Sequence, residues 1–202
     1  SSSILGQTIN KCELSLKKLR YPITRNFKKI ILSTNVISIS RRAKYILINL
    51  SNNKTIIIHL GMSGRIILTS NNENSKFKHT HMTLYFKNNL IVKFIDPRRF
   101  GCILLFDTKA ISKNRLFSHL GPEPLSKQFN PNYLERSCQN KRASIKSVIM
   151  NQSIVVGIGN IYASESLFRS GINPKRIAFD ITHDQCVQLV KNIKFVLNRA
   201  IK

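Results

Sequence analysis

The stretch FIDPRRFGCILLF, residues 94–106, places a polar segment between two apolar runs. Both runs have the β-branched and aromatic content of buried strands, so the stretch predicts two strands joined by an interruption. Pro97 and Gly101 are strand breakers on either side of Arg98-Arg99-Phe100. They predict a turn or bulge that directs these three side chains outward. A solvated hairpin tip, in which the arginines serve only solubility, is the alternative.

Strand-like segments extend on the N-terminal side of this stretch, from about residue 8 to residue 106. They are rich in Ile, Val, Leu, Phe and Tyr and are separated by Asn, Ser, Gly and Pro clusters. Such short spacing is typical of hairpins and predicts an antiparallel β-sandwich or barrel. The clearest examples are YILINLS, TIIIHLGMSGRIILTS, HMTLYFKN and LIVKFID.

The remainder of the chain has a helical pattern. Asn130-Pro131 marks a helix start, since proline is favoured in a first turn, and Thr182 is a candidate N-cap. The sequence therefore predicts an α+β chain with a β-sandwich domain at 1–108, a linker at 109–126 and a helical domain at 127–202. We expect helices at 109–119, 131–140, 141–151 and 160–171, and a final helix with the apolar stripe Cys186, Leu189, Val190, Ile193, Val196 and Leu197.

The charge of the chain is strongly unbalanced. It has 33 Lys+Arg against 9 Asp+Glu, a formal net charge of +24. Neutralising phosphates and releasing their counterions is what such an excess does well, so a polyanion partner is predicted. Heavy use of Lys, Asn and Ile throughout leaves a genome-wide composition bias as the alternative source of the charge.

The cysteines and the apolar runs limit the class of protein. Four single cysteines without a CxxC pair argue against a zinc ribbon and a secreted disulfide framework, and indicate a reduced compartment. His183 and Cys186 share a helix face, but two further ligands would be needed for a metal, which makes ordinary packing the better interpretation. No run has bilayer length and no signal peptide is recognisable, so a cytoplasmic protein without membrane contact is predicted.

The stretch VVGIGNIYASESLF, residues 155–168, is a candidate phosphate site. Gly157 and Gly159 precede a helix that has Asn160 at its expected N-cap, and free amides at a helix start attract anions. Arg142 and Lys146, four residues apart on the preceding predicted helix, would share a face and flank the same phosphate. A tight turn with solvated charges is the alternative.

Several single residues of the β domain are candidates for chemistry. Lys44 heads an apolar strand beside two arginines, where positive neighbours and partial burial would prepare a lysine to shuttle protons; a snorkelling lysine is the simpler interpretation. Met62 lies in a glycine loop and could wedge between bases or fold back onto the core. His59 could contact phosphate or be a core histidine. His79 and His81, two apart on one face of a predicted strand, favour phosphate contact over metal binding, and plain surface histidines are the alternative.

Five motifs, RRAKY, HLGMSG, DPRRFG, HLGPEPLS and VVGIGNIYASESLFRSGI, occur in an order that resembles formamidopyrimidine-DNA glycosylase, the bacterial base-excision enzyme for oxidised purines. The resemblance covers essentially the whole chain. It implies a helix-two-turn-helix domain after the sandwich. It also implies excision of purines such as 8-oxoguanine from duplex DNA, with strand nicking by β-elimination.

The resemblance also implies roles for the candidate residues. In this family the residues matching Met62, Arg98 and Phe100 enter the duplex and fill the gap left by the flipped nucleotide. Lys44 resembles a lysine that assists strand cleavage. The implied contacts with the DNA backbone are His79, Arg99, Arg142, Lys146 and Asn160, and His59 stays a candidate phosphate contact from the residues alone.

The family's nucleophile is an N-terminal proline beside a glutamate, and its C-terminal zinc finger holds four cysteines. The residues given start after the first segment and stop before the second, so we expect a fragment of an active enzyme, and no cofactor or metal within this chain. A truncated DNA-binding remnant, a non-catalytic nucleic-acid-binding protein and the family's oxidised-pyrimidine enzyme are the alternatives. The expected partner is double-stranded DNA with oxidised bases, bound by a monomer in the bacterial cytoplasm at the nucleoid.

Overall fold

The computed structural model describes residues 2–70 and 77–201. The chain divides into two compact units between Lys113 and Asn114, inside the stretch predicted as a linker. The first unit contains the strands and the second contains most of the helical residues. The predicted α+β class, with a β-sandwich followed by a helical domain, is confirmed.

The first unit is a stack of two antiparallel sheets. In the described residues, one sheet has the strand order β1-β6-β7-β5 and the other β2-β3-β4-β8. Side chains of both sheets form one core, in which Ile9, Met82 and Phe94 of the first sheet and Ile56 and Ile58 of the second are wholly buried. The strands are β1 (Ile9–Leu14), β2 (Val36–Arg42), β3 (Tyr45–Leu50), β4 (Lys54–His59), β5 (Arg65–Ser70), β6 (Thr80–Phe86), β7 (Leu90–Ile95) and β8 (Cys102–Asp107).

Residues in the left-handed conformation make the hairpins tight. Ala43, Asn53 and Asn89 have φ values of 53, 58 and 63°, which match the twist of paired strands. Asparagine tolerates this conformation better than most residues, which explains the Asn-rich breaks between the apolar runs.

One short helix lies inside the region where the sequence predicted only strands and breaks. It is α1 (Phe27–Ile31), between β1 and β2, and a 3₁₀ turn, Ser2–Ile4, precedes the first strand. Phe27 and Ile31 are buried one helical turn apart. A single turn contains too few apolar residues to show a helical period in the sequence.

The second unit contains four α-helices in its described residues, and a 3₁₀ turn, Ala178–Asp180, precedes the last of them. They are α2 (Pro131–Cys138), α3 (Ile145–Met150), α4 (Asn160–Arg169) and α5 (His183–Ile201). The side chain of Asn130 accepts the Tyr133 N–H at 2.9 Å, so the predicted helix start at Asn130-Pro131 is confirmed. The helix predicted at 109–119 is instead a 3₁₀ turn, Thr108–Lys113.

The last helix organises the second core. Thr182 and Gln185 exchange hydrogen bonds of 3.3 and 3.1 Å in a capping box, which confirms Thr182 as the N-cap. The predicted stripe of α5 packs against α2 and α4, and all of it is buried except Leu197, which is partly buried. Among the helices described, none has both the length and the apolar character that crossing a bilayer requires.

Candidate nucleic-acid interface

Two loops of the β unit touch each other through their backbones. We call them the methionine loop, residues 60–64 between β4 and β5, and the arginine loop, residues 96–101 between β7 and β8. Gly61 has φ +64°, and a Cβ there would lie 2.7 Å from both Phe100 C and Gly101 N. Only glycine permits this approach, so the HLGMSG and DPRRFG motifs form one structural feature.

A buried carboxylate holds the arginine loop closed and ties it to the methionine loop. Asp96 is 0% exposed. Its Oδ1 accepts the Ser63 hydroxyl at 2.6 Å, and its Oδ2 accepts the Gly101 N–H at 2.8 Å. Ser63 Oγ in turn accepts the Arg98 N–H at 3.2 Å. Because residues 96 and 101 are hydrogen-bonded to each other, the segment between them is a closed turn whose side chains project into solvent.

The charge of Asp96 is stabilised by these donors. Burial would raise the pKa of Asp96, but hydrogen bonds from Ser63 and from the backbone N–H groups of Gly101, Arg98 and Arg99 outweigh burial and leave that pKa below its ordinary value. The main-chain oxygen of Asp96 accepts His81 Nε2–H at 2.9 Å. The loop anchor is therefore an ionised carboxylate fixed to the sheet beneath it.

The side chains on the two loops point away from the core. Met62 is 73% exposed and Phe100 is 48% exposed. The Arg98 guanidinium lies over the Phe100 ring, 4.9 Å from its centroid. The predicted outward turn at Arg98-Arg99-Phe100 is confirmed, and the alternative that Met62 folds back onto the core is wrong. Two exposed apolar side chains and a stacked cation make a surface suited to contact with bases.

His59, at the end of β4, lies beneath the methionine loop. Its Nδ1 accepts the Gly61 N–H at 2.9 Å, so its proton is on Nε2, which can donate to a ligand. Burial lowers the pKa of His59, and the positive charges of Arg20 and Lys44 lower it further. The imidazole is half-buried and is tilted against the Tyr45 ring, 5.0 Å between centroids. His59 is thus a neutral imidazole whose Nε2–H, in a positive environment, can donate to a phosphate oxygen.

Lys44 differs from its predicted setting. It lies in the two-residue turn Ala43-Lys44 between β2 and β3 and is exposed, so the partial burial expected for it does not occur. The turn is tight because Ala43 takes the left-handed conformation, and this places the side chain at the tip of the hairpin. The charge of Lys44 still reaches His59.

The two histidines predicted to share a strand face do not do so. His79 is exposed in a turn with φ 62°, one residue before β6, and its carbonyl accepts the Asp96 N–H at 3.1 Å. His81 is 4% exposed, with its Nδ1 3.1 Å from Ser15 Oγ, and is the buried structural histidine. Arg99 is exposed and also left-handed, with φ 58°. The left-handed turn at His79 rotates it off the strand face that His81 occupies.

The helical unit presents a second candidate anion site at the start of α4. Gly159, not Asn160, is the N-cap, and no side chain caps the helix. Asn160 is the first helical residue and is exposed. Because α4 has ten residues and an uncapped start, its first N–H groups can donate hydrogen bonds to an anion.

Arg142 and Lys146 are not on one helix, as had been predicted. The side chain of Ser144 accepts the Ser147 N–H at 3.2 Å and starts α3 at Ile145, so Arg142 lies in the preceding loop. Arg142 is exposed and Lys146 is partly exposed, both close to that helix start.

His183 and Cys186, considered above as a possible metal pair, contact different residues. His183 Nδ1 lies 2.8 Å from Glu135 Oε2, and this hydrogen bond raises the pKa of His183. Cys186 is wholly buried, and its neighbour Cys138 and its burial raise the pKa of its thiol. In the ranges 2–70 and 77–201, no three His, Cys, Asp or Glu side chains converge as a metal site requires.

Three residues of this interface were not identified from the sequence. Asp96 and Ser63 were seen only as parts of motifs, and Arg20 was not singled out. A lone acidic residue at the end of a buried strand, in a chain with so few acids, was the available signal for Asp96. Arg20 gave no local signal, because only the folded chain brings it near His59. Its backbone N–H donates to the Gly101 carbonyl at 3.2 Å.

Both units match models of one family. A model described as the formamidopyrimidine-DNA glycosylase N-terminal domain matches residues 1–103, and one described as the formamidopyrimidine-DNA glycosylase H2TH domain matches residues 120–202. A formamidopyrimidine-DNA glycosylase of Rickettsia bellii is 42% identical over 200 residues, covering 99% of this chain and 72% of the relative. The Klebsiella pneumoniae protein of the same name is 42% identical over 199 residues, covering 98% and 72%.

Solved structures of similar fold contain DNA. A complex of the Lactococcus lactis Fpg with DNA containing Fapy-dG has a TM-score of 0.90 at 27% identity, over 99% of this chain and 75% of that one. A complex of the same protein with DNA containing an abasic site has a TM-score of 0.91 at 27% identity, over 99% and 73%.

Proposed function

The chain belongs to the formamidopyrimidine-DNA glycosylase family, and from this membership we infer that it serves base-excision repair as a DNA glycosylase and AP lyase. Its substrate is duplex DNA that contains an oxidised purine, such as 8-oxoguanine. The reaction removes the damaged base and nicks the strand by β-elimination. We further propose that it acts as a monomer in the bacterial cytoplasm at the nucleoid.

The observation that carries this proposal is the pair of joined loops. Extruding a nucleotide costs a few kcal/mol of stacking and pairing and leaves a gap in the duplex. Met62 and Phe100, both solvent-exposed, are available to fill such a gap, and Arg98 beside Phe100 can hydrogen-bond to the orphaned base. An ordinary basic binding module does not need apolar side chains at loop tips.

Backbone contacts would hold the duplex around this wedge. We assign Arg99, His79 and His59 in the β unit to phosphate binding, with His59 donating through Nε2–H. In the helical unit, Arg142, Lys146 and the N-terminus of α4 at Asn160 would bind phosphates. Such contacts position the protein without reading sequence, as a repair enzyme requires.

Lys44 would assist strand cleavage. Its exposed ammonium lies at a hairpin tip, and its charge reaches His59, which we place on a phosphate. A cation there can stabilise the negative charge that develops when the phosphate leaves in β-elimination. Lys44 thus acts on the leaving group in this proposal and needs no burial.

The wedge is tested by measuring, with fluorescence anisotropy, the affinity of the protein for duplexes with and without one oxidised guanine. We expect tighter binding to the damaged duplex. Met62→Ala should weaken that binding by about 1–2 kcal/mol, roughly tenfold, since it removes most of the apolar area that residue 62 inserts. The control is Ile37→Ala, which truncates another exposed apolar side chain of the same unit, 61% exposed on β2. Equal affinities of wild type and Met62→Ala for damaged DNA would contradict the wedge.

Catalysis is tested by incubating the damaged duplex, with and without borohydride, with the chain extended at its N-terminus by the family's Pro-Glu segment and at its C-terminus by the zinc finger. Base release, strand nicking and a borohydride-trapped adduct, with nicking reduced in Lys44→Ala, would support the enzyme. Selective binding by the extended chain without any of these products would favour a non-catalytic DNA-binding protein instead.

A further inference from the structure

The two loops that carry the proposed wedge are joined by one hydroxyl and one carboxylate. Ser63 directly follows Met62, and Asp96 begins the loop that carries Arg98 and Phe100. The Ser63 Oγ–Asp96 Oδ1 distance is 2.6 Å, as expected for a hydroxyl that donates to an ionised carboxylate. This contact links residues 33 positions apart and fixes one loop relative to the other.

Ser63 is held in place on both sides. Its hydroxyl donates to Asp96 and accepts the Arg98 N–H at 3.2 Å. A single side chain therefore determines both the spacing of the loops and the backbone position of residue 98. Alanine at position 63 would delete both hydrogen bonds while removing one small atom.

Asp96 is anchored to the sheet as well as to the loops. His81 donates to its main-chain oxygen at 2.9 Å, and the ring of His81 is itself bound to Ser15 at 3.1 Å. Its carboxylate also closes the arginine loop through Gly101 at 2.8 Å. The anchor cannot follow a displaced methionine loop, so loosening the Ser63 contact moves Met62 and not the sheet.

We propose that Ser63 and Asp96 are positioning residues for the wedge: their hydrogen bond sets the distance between Met62 and the Arg98–Phe100 pair, and so determines how well the loops fill a gap in duplex DNA. The inference rests on the proposed function, because the gap is that of a flipped nucleotide. Neither residue needs to touch DNA. Each acts through the side chains it holds in place.

The first experiment reports on the loops without DNA. The chain has three methionines, so ¹³C-methyl labelling gives one signal on the loop, Met62, one in the sandwich core, Met82, and one in the helical unit, Met150. In Ser63→Ala we expect the Met62 methyl signal to shift and narrow as the side chain gains freedom. The Met82 and Met150 signals should keep their positions.

The second experiment measures selectivity. Ser63→Ala should lose about tenfold in affinity for the damaged duplex and less than twofold for the undamaged one. Ser63→Thr keeps the hydroxyl and should recover most of the loss. The matched control is Thr55→Val, which deletes a buried hydroxyl bonded to Asn49 at 2.7 Å in the same unit; it should lower stability and leave selectivity unchanged.

The outcomes separate this inference from the proposed function. If wild type does not prefer damaged DNA, the proposed function fails, and an unchanged Met62 signal in Ser63→Ala would then overturn the positioning role as well. If wild type is selective and Ser63→Ala is equally selective with an unchanged Met62 signal, the positioning role alone is overturned. It is overturned too if Thr55→Val loses selectivity as Ser63→Ala does, since the effect would then follow stability.

Discussion

Adding one methyl group at Gly101 should test how tightly the loops are built. A Cβ at this position would lie 2.6 Å from the His59 carbonyl oxygen, 2.8 Å from Phe94 Cζ and 3.0 Å from Asp96 Oδ2. The His59 oxygen cannot yield, because β4 is paired with strands on both sides. Residue 101 must therefore move by several tenths of an ångström to reach an ordinary contact of 3.4 Å, and its N–H is drawn away from the carboxylate.

The cost has two parts. Overpacking costs about 1–3 kcal/mol, and weakening a hydrogen bond to a buried carboxylate costs about 1.5–3 kcal/mol. The lower entropy of the unfolded alanine chain offsets about 0.4–1 kcal/mol. We expect Gly101→Ala to lower the free energy of unfolding of the β unit by about 2–4 kcal/mol, and the affinity for damaged DNA to fall because Phe100 is the neighbouring residue.

The assay is urea unfolding monitored through the methyl signals of Met82, which is buried in the β unit, and Met150, which packs against the core of the helical unit. Only the Met82 transition should move to lower urea. Gly6→Ala is the control, because Gly6 has φ +72° and no atom within 4 Å of its Cβ position, so the substitution costs backbone strain without touching the loops. Gly101→Ala with wild-type unfolding and wild-type affinity for damaged DNA would refute the reasoning.

Three further predictions concern charge and capping. Burial, and then Arg20 and Lys44, lower the pKa of His59, so the folded state binds this proton only at a lower pH than the unfolded state does. The free energy of unfolding should therefore fall as the pH drops below about 6.5. Urea titrations at pH 5 to 7.5 should show this dependence, and His59→Asn should flatten it. Lys146→Ala should reduce the slope of log affinity against log salt by about 1, whereas Lys87→Ala, in the hairpin at the far end of β6 about 20 Å from the arginine loop, should not. Ser144→Ala should destabilise the helical unit by about 0.5–2 kcal/mol in urea unfolding, with unchanged preference for damaged DNA, because it removes the N-cap of α3.

The sequence predicted local features well where the chemistry is local. Pro97 and Gly101 delimit a turn whatever lies around them, and Asn130-Pro131 and Thr182 are caps whose partners lie three residues away. The same holds for the apolar stripe of α5. In each case the contacts that determine the structure involve residues close in sequence, so residue type and spacing are enough to predict it.

Features that depend on distant residues were missed or misplaced. Asp96 gains its role from Ser63, 33 residues earlier, and Arg20 approaches His59 only once the sheets have formed. The placement of Arg142 on a helix failed because the Ser144 cap outweighed a continuous helical pattern. The predicted strand face of His79 was wrong because a left-handed turn at this residue breaks the alternation of faces just before β6 begins.

The left-handed conformation of Arg99 has a consequence for protein design. A side chain at φ 58° costs about 1–2 kcal/mol that glycine would not incur. A sequence optimised for stability alone would therefore choose glycine at position 99, and the more stable protein would have lost an exposed cation beside the wedge. A redesign of this fold for stability should therefore keep arginine fixed at position 99.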